Sequence, residues 1–407
     1  MVSSTVDHMI AITVFLAATL LFIGLFNQTI QTAVIYQRHR ATATKASDLL
    51  DNMLLSPGIP VDWGQNDSAP TGFGLQDPEF TQYRISPFSL MRLMSASGTS
   101  VFYPKTGSYY SNVTIGDKNF LLLSHNSVLN YSSALDLLGI RNHYGFQLVF
   151  DPIVTVSITP LQDANPLRLS LNAYGTGFPL ANARVTYCLI SVDLTGGAEG
   201  HPAFLIDYGA ANTNEQGSTT LSFSQVTDSD QCYSLIAYVH LGGLVGVGYH
   251  ERASLEDEYV IPFIDNVSEG KILIAHNYDI EYSDPPSAEV KYNASLVYLA
   301  EDFTLREMPL ENSYGHVNSG EGFPYEVVNI PIDNPGILII TYKKNANLGG
   351  IVMMPWGVSS LAFPVVFGGD PHSQEWVATD MRQVIVGGIT YQVKLALWSL
   401  EGYQVVV

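Results

Sequence analysis

An uncharged apolar run near the N-terminus constrains the fold of this chain more than any other feature. No charged residue occurs from Met9 to Phe26. As an α-helix this run is about 27 Å long, close to the hydrocarbon thickness of a bilayer. The residues before it hold no Lys or Arg, and no small-residue cleavage site directly follows it, so a cleaved signal peptide fits less well. The run predicts a membrane-spanning helix.

The helix is predicted to continue beyond the apolar run as an amphipathic segment. Apolar residues recur there at steps of three and four, which is typical of a helix with one buried face. Pro57 and Gly58 end the pattern. The sequence therefore predicts a single helix from Val6 to Leu55. The residues expected on its buried face are Ala43, Ala46, Leu49, Leu50, Met53 and Leu54.

Polar residues interrupt the apolar part of this helix. Asn27, Gln28 and Gln31 are costly when they face lipid, but they can hydrogen-bond between neighbouring helices. They are therefore candidates for helix–helix association. A position at the membrane edge explains them equally well, because the run that precedes them is already long enough to span.

A long helix that is apolar first and amphipathic later, and that leads into a β-rich body, resembles the type IV pilin superfamily, particularly archaeal pilin-like proteins. The resemblance covers residues 6 to about 60. Asp7 is similar to the acidic residue that pilins place near the mature N-terminus, where it pairs with a neighbouring subunit. The resemblance implies self-association or contact with other pilin-like subunits, beside contact with membrane lipid. No basic residue followed by Gly, the pilin processing motif, precedes Asp7, so a retained anchor and a filament subunit remain alternatives.

The charge balance of the rest of the chain excludes one class of partner. After residue 45 the chain carries 15 basic against 37 acidic residues. Such a surface repels phosphate backbones, so nucleic-acid binding is not expected.

The chain is predicted to be mainly β with a long N-terminal α-helix. The helix (1–55) is followed by a small α/β subdomain (56–150), in which short helices are expected at Ser86–Ser95 and Asn130–Ile140. From residue 151 apolar and polar residues alternate with period two between short turns, which predicts a β-sandwich (151–255) and then a second all-β domain (256–407).

Two phrases in the third segment, GFPLANARVTYCLI and TNEQGSTTLSF, resemble strand pairs of the bacterial and archaeal Ig-like modules found in adhesins and surface proteins. The two cysteines, Cys188 and Cys232, lie outside any Cys/His cluster, so no zinc site is expected. A disulfide between them is expected if the chain is exported, and the resemblance places them on core strands where Ig-like domains often bridge. Two separately buried thiols are the alternative.

Two patterns disagree about which side of the membrane the body occupies. Arg38, Arg40 and Lys45 follow the apolar run and would keep the body in the cytoplasm by the positive-inside rule. Sequons predict glycosylation and export, in agreement with a disulfide and a β-rich body. Long domains also translocate largely regardless of flanking charge, so an extracellular body is favoured. The sequon asparagines are Asn66, Asn112, Asn130, Asn266 and Asn293.

No catalytic residue, cofactor or metal ligand set is predicted. GGLVGVG lies between β-patterned runs and lacks the helix of a nucleotide loop, so a hairpin is favoured. HSQEW lacks the second His of a zincin and is interpreted as a surface loop. The function expected from the sequence is a non-enzymatic, membrane-anchored surface protein with a structural, adhesive or filament-forming role. A membrane-tethered enzyme or a carbohydrate- or peptide-binding protein is the alternative.

Overall fold

The predicted long helix and β-rich body are both present in the computed structural model. It describes residues 2–66, 68–79, 82–115, 118–124, 128–195, 197–253, 259–277, 289–318, 324–331, 335–357 and 362–400. The first element, α1, is an unbroken helix from Val2 to Leu55, four residues longer at its start than the apolar pattern indicated. The fold is mainly β with a long N-terminal helix, as predicted.

The C-terminal third of α1 packs against the body, which we call the head. Five of the six residues predicted to face it are buried, but Ala43 is exposed and Thr42 is buried in its place. The small hydroxyl of Thr42 is tolerated there because it donates to the Arg38 carbonyl (3.0 Å) and so leaves no unpaired polar atom. Burial of this helix face ties α1 to the head.

Two short helices occur within the two predicted ranges, the second ending three residues before the predicted Ile140. Helix α2 (Pro87–Ser95) begins after Ser86, whose side chain accepts a hydrogen bond from the Ser89 amide, and helix α3 (Tyr131–Leu137) is capped in the same way by Asn130. Each cap satisfies an amide that the helix itself leaves without a partner.

The strands number 23 in the described part of the chain. The first thirteen are β1 (Arg84–Ile85), β2 (Thr99–Tyr103), β3 (Ser108–Ile115), β4 (Lys118–Ser124), β5 (Tyr144–Pro152), β6 (Thr155–Gln162), β7 (Leu167–Gly175), β8 (Phe178–Pro179), β9 (Arg184–Asp193), β10 (Ala203–Asn212), β11 (Ser218–Phe223), β12 (Tyr233–Leu241) and β13 (Leu244–Arg252). The others are β14 (Val260–Asn266), β15 (Lys271–His276), β16 (Val290–Leu299), β17 (Leu305–Val317), β18 (Tyr325–Asn329), β19 (Gly336–Lys343), β20 (Gly349–Trp356), β21 (Val365–Gly368), β22 (Ala378–Val386) and β23 (Ile389–Ser399).

Strands β6 to β13 form a two-layer sandwich. A four-stranded sheet, ordered β10-β9-β12-β13, packs on a three-stranded sheet, ordered β11-β7-β6, to which β8 adds a short pair. Alternate residues of β12, such as Leu235 and Ala237, face the sandwich core, while Ile236 and Tyr238 on its other face join the core of the rest of the head. Strand β12 is therefore buried on both faces, which explains its nearly unbroken apolar sequence.

The strands outside the sandwich do not separate at the predicted domain boundaries. A five-stranded sheet, ordered β1-β22-β23-β5-β21, and a ten-stranded sheet, ordered β2-β3-β4-β14-β15-β18-β17-β16-β19-β20, each contain strands from both the second and the fourth segment. The pair β1–β22 joins residues about 300 positions apart in the chain. Such long-range pairing leaves no trace in local periodicity, so the two segments were separated in the sequence interpretation.

The predicted disulfide between Cys188 and Cys232 is wrong: both thiols are free and buried. Cys188 on β9 lies opposite Ile236 of β12, whereas the Cys232 carbonyl accepts a hydrogen bond from the Val192 amide (3.0 Å). The two cysteines are thus displaced by four residues along neighbouring strands, about 13 Å at strand rise. A disulfide requires Cα atoms within about 7 Å.

Candidate functional site

The part of α1 that precedes the head makes no packing contact with it. Every side chain from Val6 to Arg38 is exposed except Thr19, which is half-buried, and none of the most apolar 18-residue window is buried. The run from Val6 to Tyr36 is about 46 Å long at helical rise. We call Val6–Tyr36 the projecting segment, and it is long and apolar enough to cross a membrane.

The threonines of the projecting segment satisfy their own hydroxyl groups. Thr13, Thr19, Thr29 and Thr32 each donate to the carbonyl four residues earlier, at 2.8 to 2.9 Å. A hydroxyl bonded within its own helix costs little in an apolar medium, since no donor is left without a partner. The threonines are therefore compatible with a lipid environment.

The four side chains predicted for helix–helix association, Asp7, Asn27, Gln28 and Gln31, are all exposed on α1. Gln28 and Gln31 are three residues apart and share one side of the helix. That side is an extension of the stripe that packs against the head, because steps of three, four and seven residues, each close to a whole number of helical turns, connect the two. We call this line of residues the docking stripe, and it contains Ala17, Gly24, Gln28, Gln31, Ile35, Thr42, Ala46, Leu49 and Met53.

A cluster of charged side chains attaches the C-terminal part of α1 to β22. Arg382 Nε lies 2.9 Å from Asp51 Oδ1, and Arg382 Nη2 lies 3.2 Å from Asp51 Oδ2. The same guanidinium donates to Ser47 Oγ (3.1 Å) and to Asp380 Oδ1 (2.8 Å), and the Tyr83 hydroxyl donates to Asp51 (3.3 Å). A planar guanidinium that holds a carboxylate through two nitrogens fixes its orientation as well as its distance. We call these residues the clasp.

The charges of the clasp stabilise one another. The hydrogen bond with Asp51, followed by that with Asp380, raises the pKa of Arg382 above its usual value. Partial burial alone would raise the pKa of Asp380, but hydrogen bonds from Ser47 and Arg382 outweigh it and hold the pKa below its usual value. The local pattern does not single out Arg382, because Asp380 and Arg382 are both charged residues within an alternating strand. The only signal for it in the sequence is Asp51, an acidic residue beside the apolar face of α1 that needs a partner from elsewhere in the chain.

An aromatic stack marks the point where α1 leaves the head. The rings of His39 and Trp376 lie 4.1 Å apart at an angle of 5°. Trp376 belongs to the HSQEW phrase, which does form a loop, but one whose aromatic end packs on the helix. Arg38 and Arg40 flank His39, and their side chains are exposed, as is that of Lys45.

The five sequon asparagines differ in accessibility. Asn130 is exposed at the start of α3, with its Oδ1 accepting from the Ser133 amide (2.8 Å) and its amide nitrogen open to solvent. The others are half-buried, and three of them make side-chain hydrogen bonds to their surroundings. Those four are Asn66, Asn112, Asn266 and Asn293. A glycan needs a surface position, and Asn130 provides it best.

The carboxylate pairs in the described part of the chain have structural surroundings. The sequence DSD at 228–230 lies in a loop whose backbone carbonyls at Asp228 and Gln231 accept hydrogen bonds from Arg252. Asp302 pairs with Arg306 (2.9 Å) in the turn after β16. Glu256 to Glu258 lie outside the described residues. No group of three His, Cys, Asp or Glu residues within the described ranges is arranged to hold a metal ion.

A cleft of about 600 Å³ opens between the loop after α1, the start of α2 and the turns that follow β16 and β22. Four carboxylates, those of Asp62, Asp77, Glu79 and Glu301, and the guanidinium of Arg84 line it beside apolar residues such as Phe88. Neither Trp nor Tyr is among the described residues of its lining.

Comparison with known proteins shows no family. No family model matches the chain, and no curated protein matches it significantly. Solved structures with partial likeness include the native α2-macroglobulin of E. coli (11% identity over 68% of this chain and 19% of that chain, TM-score 0.21) and the D0–D1 domain of intimin (13% identity over 50% of this chain and all of that chain, TM-score 0.20). A transglutaminase of red sea bream is also similar (8% identity over 61% of this chain and 37% of that chain, TM-score 0.19). This chain thus spans about a fifth of the macroglobulin, and none of these likenesses supports a function for it.

Proposed function

We propose that this protein is a non-enzymatic, single-pass membrane protein of pilin-like architecture, which displays an acidic β-rich head outside the cell and associates with its own copies through the projecting segment. The observation that carries the proposal is the division of α1. Its first part is apolar and exposed except at Thr19, and one face of its last part is buried against the head. Because the helix is fixed to the head, a membrane or a neighbouring helix that holds its apolar part also holds the head.

Anchoring of the projecting segment in a membrane is supported by the free-energy cost of leaving its apolar side chains in water. Side chains such as Phe15, Leu20 and Phe22 are 68 to 70% exposed in the isolated chain. Each large apolar side chain left in water costs about 1.5 to 3 kcal/mol relative to burial. A bilayer or a helical partner removes that cost, and a bilayer does so with the length of helix present.

Self-association is supported by the composition of the docking stripe. Gln28 and Gln31 offer donors and acceptors that hydrocarbon cannot satisfy, while Ala17 and Gly24 on the same side let another backbone approach closely. A Cβ placed on Gly24 would meet no atom within 4 Å, so the glycine is not required by packing within this chain. A neighbouring helix would pack closely at the small residues and hydrogen-bond with the two glutamines.

Disulfide trapping tests the proposal, since the native thiols are buried and do not interfere. Full-length protein carrying Gln28→Cys or Gln31→Cys is oxidised in membranes, with Ala33→Cys as the control at nearly the same depth, about 140 to 160° around the helix from both glutamines. We expect covalent dimers from the two glutamine positions and few from the control. Equal trapping at all three positions would indicate random collision, and no trapping in protein that stays in membranes would leave an anchor without self-association.

The state of the N-terminus separates the two forms of the proposal. N-terminal sequencing of native protein is expected to give a mature end near Asp7 in shed filaments if it is a filament subunit, and an intact end in membranes if it is a retained anchor. A chain released without its first 40 or so residues would refute both forms, because the anchoring run would then be a signal peptide.

A second candidate, a membrane-tethered binding protein, is favoured by the acidic cleft. Its carboxylates outnumber its single guanidinium, so it fits a cationic group beside an apolar one. Titration with a short lysine peptide would give saturable binding that Glu301→Gln weakens. Binding that persists unchanged in this variant would place the peptide elsewhere on the acidic head.

A further inference from the structure

Four side chains gather at one level where α1 leaves the head. Tyr36, Arg38 and Arg40 follow one another on the helix within about 6 Å of axial rise, and Trp376 of the head stacks on His39 at the same level. We call Tyr36, Arg38, Arg40 and Trp376 the basal collar. Tyrosine, tryptophan and arginine are the residues that prefer the boundary between hydrocarbon and water.

The two arginines of the basal collar have no carboxylate partner in the described part of the chain, and both are exposed. Arg382, Arg306 and Arg252 of the head are occupied in the clasp, by Asp302 and by backbone carbonyls, respectively, whereas Arg168 and Arg184 on the sandwich are exposed. In a chain with 15 basic against 37 acidic residues after position 45, Arg38 and Arg40 place two exposed positive charges directly beside the apolar projecting segment, on different sides of the helix. They fit an anionic partner that is not part of this chain.

The length of the projecting segment determines how close this level lies to the membrane. Its apolar part from Met9 to Tyr36 is about 42 Å long, against about 30 Å of hydrocarbon. A helix tilted by about 40°, the upper limit of observed tilts, keeps about 39 Å of it in hydrocarbon and leaves its last residues at the boundary. A helix that kept only Met9–Phe26 in lipid would leave Ile30, Val34 and Ile35 in water, and these are 37 to 46% exposed in the isolated chain. Burial of this apolar length brings the basal collar to the bilayer surface.

We propose that the basal collar seats the head on the membrane by binding the headgroups of anionic phospholipids. This proposal rests on the membrane anchoring proposed above and adds the class of lipid and the residues that select it. Elsewhere the net negative charge of the head repels an anionic surface, so Arg38 and Arg40 supply the attraction. The aromatic rings of Tyr36 and Trp376 lie in the interfacial layer between these two guanidinium groups and the acyl chains.

Trp376 is a native probe of this seating. The chain has four tryptophans, and the other three, Trp63, Trp356 and Trp398, are at most 4% exposed. Full-length protein is placed in vesicles of phosphatidylcholine, alone or with roughly 30% phosphatidylglycerol, that contain lipid brominated near the headgroup end of its chains. We expect the Trp376 emission to be quenched, more strongly with phosphatidylglycerol and less at high salt, because salt screens charge. In Trp376→Phe this quenching is lost.

A double variant identifies the groups responsible. In Arg38→Gln/Arg40→Gln the equilibrium between seated and lifted heads on anionic vesicles is expected to shift about thirtyfold towards lifted, since each basic residue near an anionic surface contributes about a factor of five. The matched control, Arg168→Gln/Arg184→Gln, removes the same charge from exposed positions on the sandwich and is expected to keep the response to phosphatidylglycerol.

Failure of seating is distinguishable from failure of anchoring. In Phe22→Trp the added indole reports insertion through lipid brominated deep in its chains. Two results together would overturn the proposal and leave the anchor intact. The first is deep quenching of the added indole in Phe22→Trp. The second is Trp376 emission that soluble acrylamide quenches equally in vesicles with and without phosphatidylglycerol. Equal responses of the two double variants would also overturn it. Absence of deep quenching would refute the anchor itself.

Discussion

Arg382 of β22 holds Asp51 of α1 through two hydrogen bonds, at 2.9 and 3.2 Å, across 331 residues of sequence. The pair fixes the rotation of a helix whose apolar contacts alone would allow it to slide or turn. The direction in which the projecting segment leaves the head is therefore set by a charge on one of the last strands of the chain.

Removal of this guanidinium is expected to weaken the attachment of α1. Arg382→Gln should lower the free energy of unfolding by about 1 to 1.5 kcal/mol, between the value of an exposed ion pair and that of a buried charged hydrogen bond, because the Asp51 side chain is 38% exposed and partly screened. Thermal unfolding in detergent measures the change. Arg184→Gln, an exposed charge on the sandwich, should leave the transition in place, and an equal effect of both variants would contradict a role for the clasp.

The clasp also predicts a loss of stability in acid. The pKa of Asp380 is lowered in the folded protein, so its contribution is present above the unfolded value of about 3.9 and is lost as pH falls through the folded value. Asp380→Asn should therefore flatten the fall in unfolding free energy below about pH 4. Glu215→Gln, on an exposed turn, serves as the control, and an acid profile of Asp380→Asn that matches wild type would disprove the linkage.

The free thiols are expected to be inert until the head unfolds. Burial raises the pKa of the Cys188 and Cys232 thiols, so little reactive thiolate forms near neutral pH. A thiol reagent should titrate both only after denaturation, and a reductant should not change the melting temperature. A mass two hydrogens lower in the native protein would reveal an intramolecular disulfide and overturn the strand register given above.

Glycosylation, if the head is exported, is expected first at Asn130. Ser132→Ala destroys this sequon but leaves the Asn130 cap of α3 unchanged, so it should remove one glycan from the mass of the native protein without loss of stability. The matched change at Asn293, Ser295→Ala, should leave the mass of the glycans unaltered, since Asn293 is half-buried in the middle of a strand. Loss of a glycan from the second variant alone would reverse this assignment.

The elements that the sequence predicted well depend on local chemistry. Three such elements are helix α1, the start of α2 at Ser86, and the turn at Gly242 and Gly243 between β12 and β13, each specified by residues close together in the chain. Local sequence is enough to predict these features without knowledge of the rest of the fold. They are a period of 3.6 residues, a side chain that accepts a hydrogen bond from a helix amide, and a glycine at positive φ.

The features that the sequence did not predict depend on which distant strands become neighbours. Cys188 and Cys232 do lie at neighbouring strands, but an offset of four residues along the sheet separates them, and no local pattern contains that offset. Likewise Trp376 and Arg382 reach α1 only because β22 pairs within the sheet that the helix covers. Ala43 was placed on the buried face because an apolar residue was preferred to Thr42, whose hydroxyl is satisfied inside the helix.

The docking stripe has a consequence for the geometry of assembly. The stripe passes from the buried residues Thr42 and Met53 to Gln28 and Gln31 on one side of α1, so a neighbour that uses those glutamines approaches from beneath the head. Two copies related by a twofold axis at equal height, the arrangement that places Gln28 against Gln28, would bring both heads into the same volume if the helices ran side by side. The heads separate if the two helices cross near the glutamines and diverge towards the heads. Association through the stripe therefore favours a pair of crossed helices over a pair that runs side by side.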